Sequence, residues 1–257
     1  MDLGLAGRVA VVPGATSGLG AAVVRALSSE GAHVAFGGRR VEPAARQAAE
    51  LPSAVGIGVD ITHPDGPRSL VNAATSRFGP VDVLVLNGGG PAPSTAAGMS
   101  AEDALEAVRL LVTGHIRLVE AVLPGMRERG WGRIIAIGSS GIQEPIAGLA
   151  ASNVGRGALA GYLKTLAAEV AADGVTVNMV LPGRIETDRM KQVYGAVSER
   201  QGIPEQEVRD ASRAEIPAGR FGTPEEFAAA VTFLAGAQAS YITGEQLRCD
   251  GGLVRAY

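Results

Sequence analysis

Short β-branched runs alternate with alanine-rich stretches along the whole chain, and this alternation constrains the fold more than any other feature. It is typical of βαβ units, in which a crossover helix leads from one strand to the next strand of a parallel sheet. Several of the runs are apolar on both faces, as buried parallel strands are. The strands predicted from these runs are Arg8–Val12, His33–Gly37, Ala54–Val59, Val81–Leu86, Arg133–Ile137, Thr176–Leu181 and Gln246–Cys249.

The predicted fold class is α/β, a doubly wound Rossmann fold with a seven-stranded parallel sheet flanked by helices. A length of 257 residues suits one domain over residues 1–257, with neither an internal repeat nor a linker. The segment 187–222 holds no predicted strand and is rich in charge and helix formers. Ligands of open α/β sheets bind at the carboxyl ends of the strands, so we expect this insertion to be a mobile substrate lid. Helices are predicted to begin near Gly18, Glu42, Pro67, Ala101, Leu149 and Pro224, the last with Thr223 as its N-cap.

Composition and charge argue against several functional classes. The formal net charge of -3 comes from interspersed residues of both signs without a basic stripe, so nucleic acid is not an expected partner. The N-terminus lacks the pattern of a signal peptide, and no stretch approaches the roughly 20 apolar residues that span a bilayer. We therefore predict a cytoplasmic protein without a membrane partner. Cys249 is the single cysteine and is interpreted as a packed thiol. No metal site is predicted.

A glycine-rich loop, Pro13-Gly14-Ala15-Thr16-Ser17-Gly18-Leu19-Gly20, directly follows the first predicted strand and opens the first helix. Glycines in such a loop permit a tight turn and let the backbone approach a pyrophosphate at the helix N-terminus. A merely structural turn is the alternative. The position between strand and helix favours a dinucleotide site.

The spacing Gly14-x-x-x-Gly18-x-Gly20 resembles the fingerprint of the short-chain dehydrogenase/reductase family, and the resemblance covers essentially the whole chain. The tail Tyr241-Ile242-Thr243-Gly244-Glu245-Gln246, followed by Asp250-Gly251-Gly252, is similar to the end of β-ketoacyl carrier-protein reductases. The family's motifs imply a cofactor site made of Gly14, Thr16, Ser17, Gly18, Leu19, Gly20, Arg39, Arg40, Asp60, Ile61, Asn87, Gly88, Gly89, Pro182, Gly183, Ile185 and Thr187.

The loop after the second strand predicts which dinucleotide is bound. An NAD enzyme would offer a carboxylate to the ribose 2′-hydroxyl there, whereas this chain has Gly37-Gly38-Arg39-Arg40. Guanidinium groups suit a 2′-phosphate, so the resemblance implies NADP(H). The alternative is that Arg39 and Arg40 are only solvated surface residues.

The chain departs from the family where the catalytic residues should stand. The family has a tyrosine thirteen residues after the serine that ends the fifth strand, a lysine four residues later and an asparagine on the preceding long helix. Counting from Ser140 gives Asn153 and Gly157, and the helical asparagine position is Leu111. Only Ser140 of this tetrad is retained, and Pro13 replaces a threonine in the glycine loop.

Two interpretations of Asn153 remain open at this stage. In a divergent, reductase-like subgroup of the family, Ser140, Asn153 and Arg156 would form the catalytic site. In the alternative, Asn153 only caps a helix from Ala151 onward. Arg156 would bind the cofactor, a substrate anion or only water. His115 is interpreted as a packed or surface residue rather than a proton shuttle, and Lys164 is assigned a structural or subunit-contact role.

The leading hypothesis is an NADP(H)-dependent oxidoreductase that acts on a small-molecule carbonyl or alcohol, with Ser140 and Asn153 polarising the oxygen. The alternatives are a nucleotide-binding protein without catalysis, and a non-redox enzyme such as a dehydratase or cyclase. The family resemblance also implies a homodimer or homotetramer through the long helices Ala101–Arg129 and Leu149–Ala172. Ala158, Ala160, Gly161, Ala167 and Ala168 would allow close helix approach, although they suit internal packing equally well.

Overall fold

The computed structural model describes residues 1–256, and its centre is one parallel sheet of seven strands. The strand order is β3-β2-β1-β4-β5-β6-β7, and each neighbouring pair is parallel. The predicted fold class, a doubly wound Rossmann fold, is therefore confirmed. The strands are β1 Val9–Val12, β2 His33–Gly38, β3 Ala54–Gly58, β4 Val83–Leu86, β5 Gly132–Ile137, β6 Val175–Pro182 and β7 Gln246–Cys249.

Two hydrophobic clusters cover the two faces of the sheet, which explains why β1, β4 and β5 are buried at every position. One cluster contains Leu70, Leu118 and Leu163, and the other contains Leu27 and Phe227. Strands and helices both contribute to each cluster. The helices are α1 Gly18–Ser29, α2 Val41–Ala49, α3 Gly66–Phe78, α4 Ala101–Val108, α5 Gly114–Glu128, α6 Ala150–Val170, α7 Asp188–Gln201, α8 Glu205–Ala214 and α9 Pro224–Ala235.

The predicted strand Val81–Leu86 begins two residues late, at Val83. The carbonyl of Val81 accepts from the Arg129 guanidinium at 2.6 Å instead of pairing along the sheet. The carboxylate of Asp82 accepts from the backbone N–H of Val9 at 3.0 Å. The backbone of Asp82 still bonds to both neighbouring strands, since its N–H donates to the Val9 carbonyl and its carbonyl accepts from the Arg133 N–H.

The predicted long helix Ala101–Arg129 is interrupted by one π-helical turn, Arg109–Thr113, between α4 and α5. Such turns are rare in helices, and many of those that occur lie at functional sites. The N-cap prediction at Thr223 is confirmed, because its hydroxyl accepts from Glu226 N–H and the Glu226 carboxylate accepts from Thr223 N–H. Within residues 1–256, no helix is long and apolar enough to cross a membrane.

The segment 187–222 contains helices α7 and α8 and no strand, as predicted. It has a small core of its own around Tyr194, Ile216 and Phe221. A single β-bridge between Ile185 and Gly222 ties its two ends together. The two paired stretches connect the segment to the carboxyl end of β6 and are called its neck below. Helices α7 and α8 lie outside the two main hydrophobic clusters.

Candidate active site

The carboxyl ends of β1, β4, β5 and β6 meet at one edge of the sheet, and the predicted site residues follow them. Strand β1 lies between β2 and β4, so the chain reverses direction of winding there. A crevice at such a switch point is where open α/β sheets bind ligands. The topology therefore collects the candidate residues before any side chain is considered.

The glycine loop after β1 is held against β4 by Asn87. The Asn87 side-chain amide donates to the carbonyls of Pro13 and Gly14, at 3.1 and 2.9 Å. A Cβ at Gly20 would lie 2.5 Å from that amide nitrogen, so only glycine fits there. Gly14 has φ +62°, a left-handed conformation that side chains disfavour. These contacts hold the loop so that its backbone can lie close to a bound ligand.

Helix α1 begins directly behind this loop with free donors. Ser17 is its N-cap, but its hydroxyl makes no capping bond, and no acidic residue lies in the first turn. The exposed N–H groups of such a helix end form an anion site. Thr187, the N-cap of α7, lies across from the loop, since a Cβ at Gly18 would be 4.0 Å from its methyl group. Gly18 and Thr187 thus face each other across the crevice.

The end of β2 carries two exposed arginines and no carboxylate. Within residues 1–256, neither Arg39 nor Arg40 makes an ion pair within 4 Å. Gly38 allows Thr16 of the glycine loop to pack against this strand end, because a Cβ there would lie 2.9 Å from the Thr16 methyl group. The two guanidinium groups therefore sit at the rim of the loop, available to a phosphate.

Asp60 and Ile61 follow β3 in different roles. The Asp60 carboxylate accepts from the N–H and hydroxyl of Thr62, at 2.9 and 2.8 Å. These hydrogen bonds, with a smaller contribution from Arg39, lower the pKa of Asp60, so the group is a stable anion at the site's edge. Ile61 is 9% exposed and belongs to the core. Its side chain therefore packs beneath the site.

The remaining predicted cofactor residues lie along the same edge. Gly88 and Gly89 follow β4, Pro182 is the last residue of β6, and Leu19 is in the first turn of α1. Gly183 permits a close approach of the chain after β7, since its Cβ would lie 2.5 Å from the Asp250 Cα atom. Ile185 is buried in the neck of the segment 187–222. The structure thus brings together all of the loops that the sequence singled out.

Ser140 begins a short 3-10 turn after β5 and is 8% exposed. Its carbonyl accepts from Gln143 and Glu144, which fixes the turn. Its hydroxyl makes no hydrogen bond to another residue within 1–256, whereas the neighbouring Ser139 hydroxyl accepts from Gly141 N–H at 3.1 Å. The Ser140 hydroxyl is therefore the one of the pair that is left to bind something else.

The N-cap interpretation of Asn153 was wrong. Helix α6 begins at Ala150 after Leu149, so Asn153 is already its fourth residue, and its backbone N–H donates to the Leu149 carbonyl at 2.9 Å. Its side-chain amide donates to the Ile146 carbonyl at 3.1 Å. Its carboxamide oxygen lies over Gly141, 2.6 Å from where a Cβ would be. Asn153 thus lies beside the turn that begins with Ser140.

Arg156 points inward from α6 onto the end of β5, which excludes one of its three predicted alternatives, binding only water. Its Nη1 atom donates to the carbonyls of Ile137 and Gly138, at 3.0 and 3.1 Å. Burial, with a contribution from Arg189, lowers the pKa of Arg156 to about 10. The group is still a cation at neutral pH, held three residues from Asn153 on the same face of the helix.

His115 is a buried residue, as interpreted from the sequence, with 3% of its surface exposed. Its Nδ1 atom is 2.7 Å from the Leu111 carbonyl in the π-helical turn and so carries the proton. Its Nε2 atom is buried near Gly88 and has no hydrogen-bond partner within residues 1–256. Burial lowers the pKa of His115, so the ring is neutral at pH 7.

Two side chains hold the tail in place. Lys164 donates to the Gly244 carbonyl at 2.7 Å, which agrees with its predicted structural role. Asn178 donates to the Ile242 carbonyl at 2.8 Å and accepts from Glu245 N–H at 3.0 Å. The run Thr243-Gly244-Glu245 could be recognised in the sequence. Its bonding partner Asn178 could not, because it lies over 60 residues away along the chain.

Comparison with known proteins identifies the family. Residues 14–254 match a family model described as enoyl-(acyl carrier protein) reductase. The 3-oxoacyl-(acyl-carrier-protein) reductase of Vibrio cholerae is 37% identical over 253 residues, which cover 98% of this chain and 99% of that protein. The chain belongs to the short-chain dehydrogenase/reductase family. It is an oxidoreductase by family, and the resemblance stated from the glycine loop is confirmed.

Solved members of the family are similar over nearly the whole fold. L-sorbose reductase from Gluconobacter frateurii, in complex with NADPH and L-sorbose, has a TM-score of 0.94 and 32% identity, with both chains covered to 100%. A variant of the actinorhodin polyketide ketoreductase with NADPH has a TM-score of 0.90 and 36% identity, covering 96% of this chain and 97% of that one.

Proposed function

We propose that this chain is an NADP(H)-dependent oxidoreductase that interconverts a carbonyl and an alcohol with a degenerate catalytic tetrad. Asn153 and Gly157 stand where the family has its tyrosine and lysine. The observation that carries the proposal is that the free Ser140 hydroxyl and the Asn153 carboxamide belong to or lie against one 3-10 turn, Ser140–Ile142, at the same sheet edge as the glycine loop that Asn87 holds.

The residues of the crevice fit an NADP(H) molecule. The first turn of α1 offers free N–H groups to a pyrophosphate, and the glycine loop lets the backbone approach it. Arg39 and Arg40 suit a 2′-phosphate, with no carboxylate after β2 to favour a free hydroxyl. The two solved relatives described above are complexes with NADPH. When bound, the cofactor supplies or accepts the hydride.

Ser140 and Asn153 polarise the substrate oxygen in this proposal. The Ser140 hydroxyl donates a hydrogen bond to that oxygen, and the Asn153 amide provides a second donor as negative charge develops there. One such preorganised donor contributes about 2.7–4 kcal/mol to transition-state stabilisation. Neither group yields a proton at neutral pH. The proton therefore comes from water or from a hydroxyl of the substrate itself.

Loss of the tyrosine weakens such an enzyme without abolishing it. A positioned general acid contributes about 10²- to 10⁴-fold, whereas orienting two bound reactants contributes roughly 7–11 kcal/mol. The reactants are oriented by the glycine loop, by the 3-10 turn Ser140–Ile142 after β5 (the β5 turn) and by the segment 187–222. We propose that this segment acts as the substrate lid. Thr187, at the start of that lid, faces Gly18 of the loop.

NADPH consumption with a panel of ketones, aldehydes and oxo acids tests the function. We expect turnover that falls in Ser140→Ala and Asn153→Ala while NADPH affinity stays within about twofold of the unmodified protein, because neither side chain contacts the phosphate sites. Binding of NADPH without consumption of it under any condition would favour the non-catalytic alternative. A reaction that proceeds without NADPH would favour a dehydratase or cyclase.

We also propose that copies of this chain associate through α6. Ala160 and Ala167 pack into the core, but Ala158, Gly161 and Ala168 are exposed on the other face of the helix. No heavy atom lies within 4 Å of a Cβ built at Gly157 or Gly161, so this face is open to a partner helix. A sedimentation measurement that returns a monomer would contradict this association.

A further inference from the structure

Two arginines close to the β5 turn carry charges that no acidic side chain neutralises. Within residues 1–256, neither Arg156 nor Arg189 lies within 4 Å of a carboxylate. Arginines in or beside the segment 187–222 include paired ones: Arg184 with Glu215, Arg209 with Glu186 and Arg213 with Asp210. In the described part of the chain, Arg200, Arg39 and Arg40 also lack a carboxylate within 4 Å, so what distinguishes Arg156 and Arg189 is their position, at the end of β5 and against the loop after β4.

The donors of Arg156 are only partly used. Its Nη1 atom is bonded to two carbonyls at the end of β5, but its Nε and Nη2 atoms make no hydrogen bond within residues 1–256. A guanidinium presents a planar fork of donors that matches a carboxylate. The bonds through Nη1 fix the plane of the group, so its other edge is preorganised.

Arg189 approaches the same place from the lid. It lies in the first turn of α7, and a Cβ at Gly90 would be 3.2 Å from its Nη2 atom and 3.5 Å from Nη1. Its guanidinium therefore lies against the loop after β4, between the lid and the sheet edge. It is also near enough to Arg156 to lower the pKa of that group, although burial contributes more.

Arg156 is half-buried and Arg189 is exposed. Like charges that are close to each other repel, and an anion bound between them would relieve that repulsion. The phosphates of a dinucleotide have other donors, at the start of α1 and after β2. Strand β5 is two strands away from β1 in the sheet, about 10 Å at the usual strand spacing. Arg156 is instead next to Asn153, where the reacting oxygen is expected. An anion here belongs to the substrate.

We propose that the substrate carries a carboxylate and that Arg156 and Arg189 bind it, so the substrate class is an oxo acid or the matching hydroxy acid. This inference rests on the proposed function of the same site. Arg156 provides the fixed half of the carboxylate site. Arg189 provides the mobile half, and its contact with the substrate draws the first turn of α7 over the β5 turn. The carboxylate thereby positions the carbonyl at Ser140.

Calorimetric binding to the NADP⁺-loaded protein tests the proposal without requiring turnover. The probes are acetoacetate, its neutral methyl ester and inorganic phosphate. We expect acetoacetate to bind at least about tenfold more tightly than the ester, as for other charge-assisted pairs. Arg189→Gln and Arg156→Gln should each weaken acetoacetate about tenfold and leave the ester unchanged. Arg200→Gln, an exposed arginine at the far end of the same helix, is the matched control and should bind as the unmodified protein does.

Equal affinities for acetoacetate and its ester would overturn the proposal, as would Arg189→Gln weakening NADPH but not acetoacetate. Inorganic phosphate that binds more tightly than acetoacetate would show a phosphoryl site and overturn the carboxylate assignment. If Arg156→Gln does not fold, Arg156→Lys and Arg189→Gln carry the test. Carboxylate binding without NADPH consumption would refute the proposed redox function while leaving the anion site in place.

Discussion

The side-chain amide of Asn87 donates a 2.9 Å hydrogen bond to the carbonyl of Gly14 and thereby fastens the glycine loop to the end of β4. The same amide nitrogen would lie 2.5 Å from a Cβ at Gly20. The Asn87 side chain thus sets the position of the loop relative to β4, and it also restricts residue 20, in the first turn of α1, to glycine. The loop's shape depends on this contact between adjacent strands as well as on its own glycines.

Gly20→Ala should force this contact apart. Overpacking of this kind costs about 1–3 kcal/mol, so we expect a lower melting temperature and weaker NADPH binding. Gly195→Ala in α7 is the control, because its Cβ meets no atom within 4 Å and it lies outside the cofactor site and the α6 face proposed for subunit contact. That change should raise helix stability by about 0.5–1 kcal/mol without affecting NADPH. Unchanged NADPH affinity in Gly20→Ala would show that the contact of Asn87 with the glycine loop does not shape the cofactor site.

Replacing both Arg39 and Arg40 by glutamate should remove the preference for NADPH over NADH. A hydrogen bond to a charged group contributes about 1.5–3 kcal/mol, so NADPH affinity should fall at least about tenfold while NADH affinity changes little. Fluorescence titration with each dinucleotide measures both constants. Arg46→Glu, on the exposed side of α2, controls for net charge. A double variant that still prefers NADPH would mean that Arg39 and Arg40 are only surface residues.

Ser140→Ala should lower kcat/KM for carbonyl reduction by about 10²- to 10³-fold, because it removes a donor from the developing oxyanion. Asn153→Ala should act in the same direction, with an added loss of stability, because its amide also binds the Ile146 carbonyl. Ser139→Ala is the matched control for Ser140, since the Ser139 hydroxyl serves only the Gly141 N–H. Steady-state kinetics with equal losses in Ser139→Ala and Ser140→Ala would argue for a structural role of both.

His115 should make the protein less stable as the pH falls. Burial lowers the folded-state pKa of His115 below its ordinary value of 6.5, so the unfolded chain binds a proton first. This contribution to stability is complete above the ordinary pKa and is lost as the pH falls below it. Urea unfolding at pH 8 and pH 5 should show a smaller pH dependence in His115→Leu. A ring titration by NMR at or above the ordinary value would contradict the assignment.

The sheet and the glycine loop could be predicted because their signals are local. Apolar runs and glycine spacing depend on neighbouring residues, and the largest error in a strand bound was two residues, at the start of β4, where Arg129 binds the Val81 carbonyl. The role of Asn153 could not be decided in this way, because asparagine suits both an N-cap and a site. The choice followed from where α6 begins, at Ala150, which depends on the packing of the preceding loop.

The cationic half of the site was harder to predict. Arg156 reaches carbonyls 18 and 19 residues away, and the pairing of α6 with β5 that permits this is a tertiary contact. Arg189 gave no signal at all, since a lone arginine in a charged segment is usually solvated. Its significance comes only from its position against Gly90 and from the lack of a carboxylate nearby within residues 1–256.

The proposed role of Ser140 in carbonyl reduction is tested by the initial rate of NADPH oxidation with an oxo acid, measured side by side for the unmodified protein and Ser140→Ala. We expect oxidation that requires the oxo acid, forms the hydroxy acid in equal amount and falls at least about 10²-fold in the variant. NADPH that binds but is not consumed, or consumption that Ser140→Ala leaves unchanged, would contradict this role.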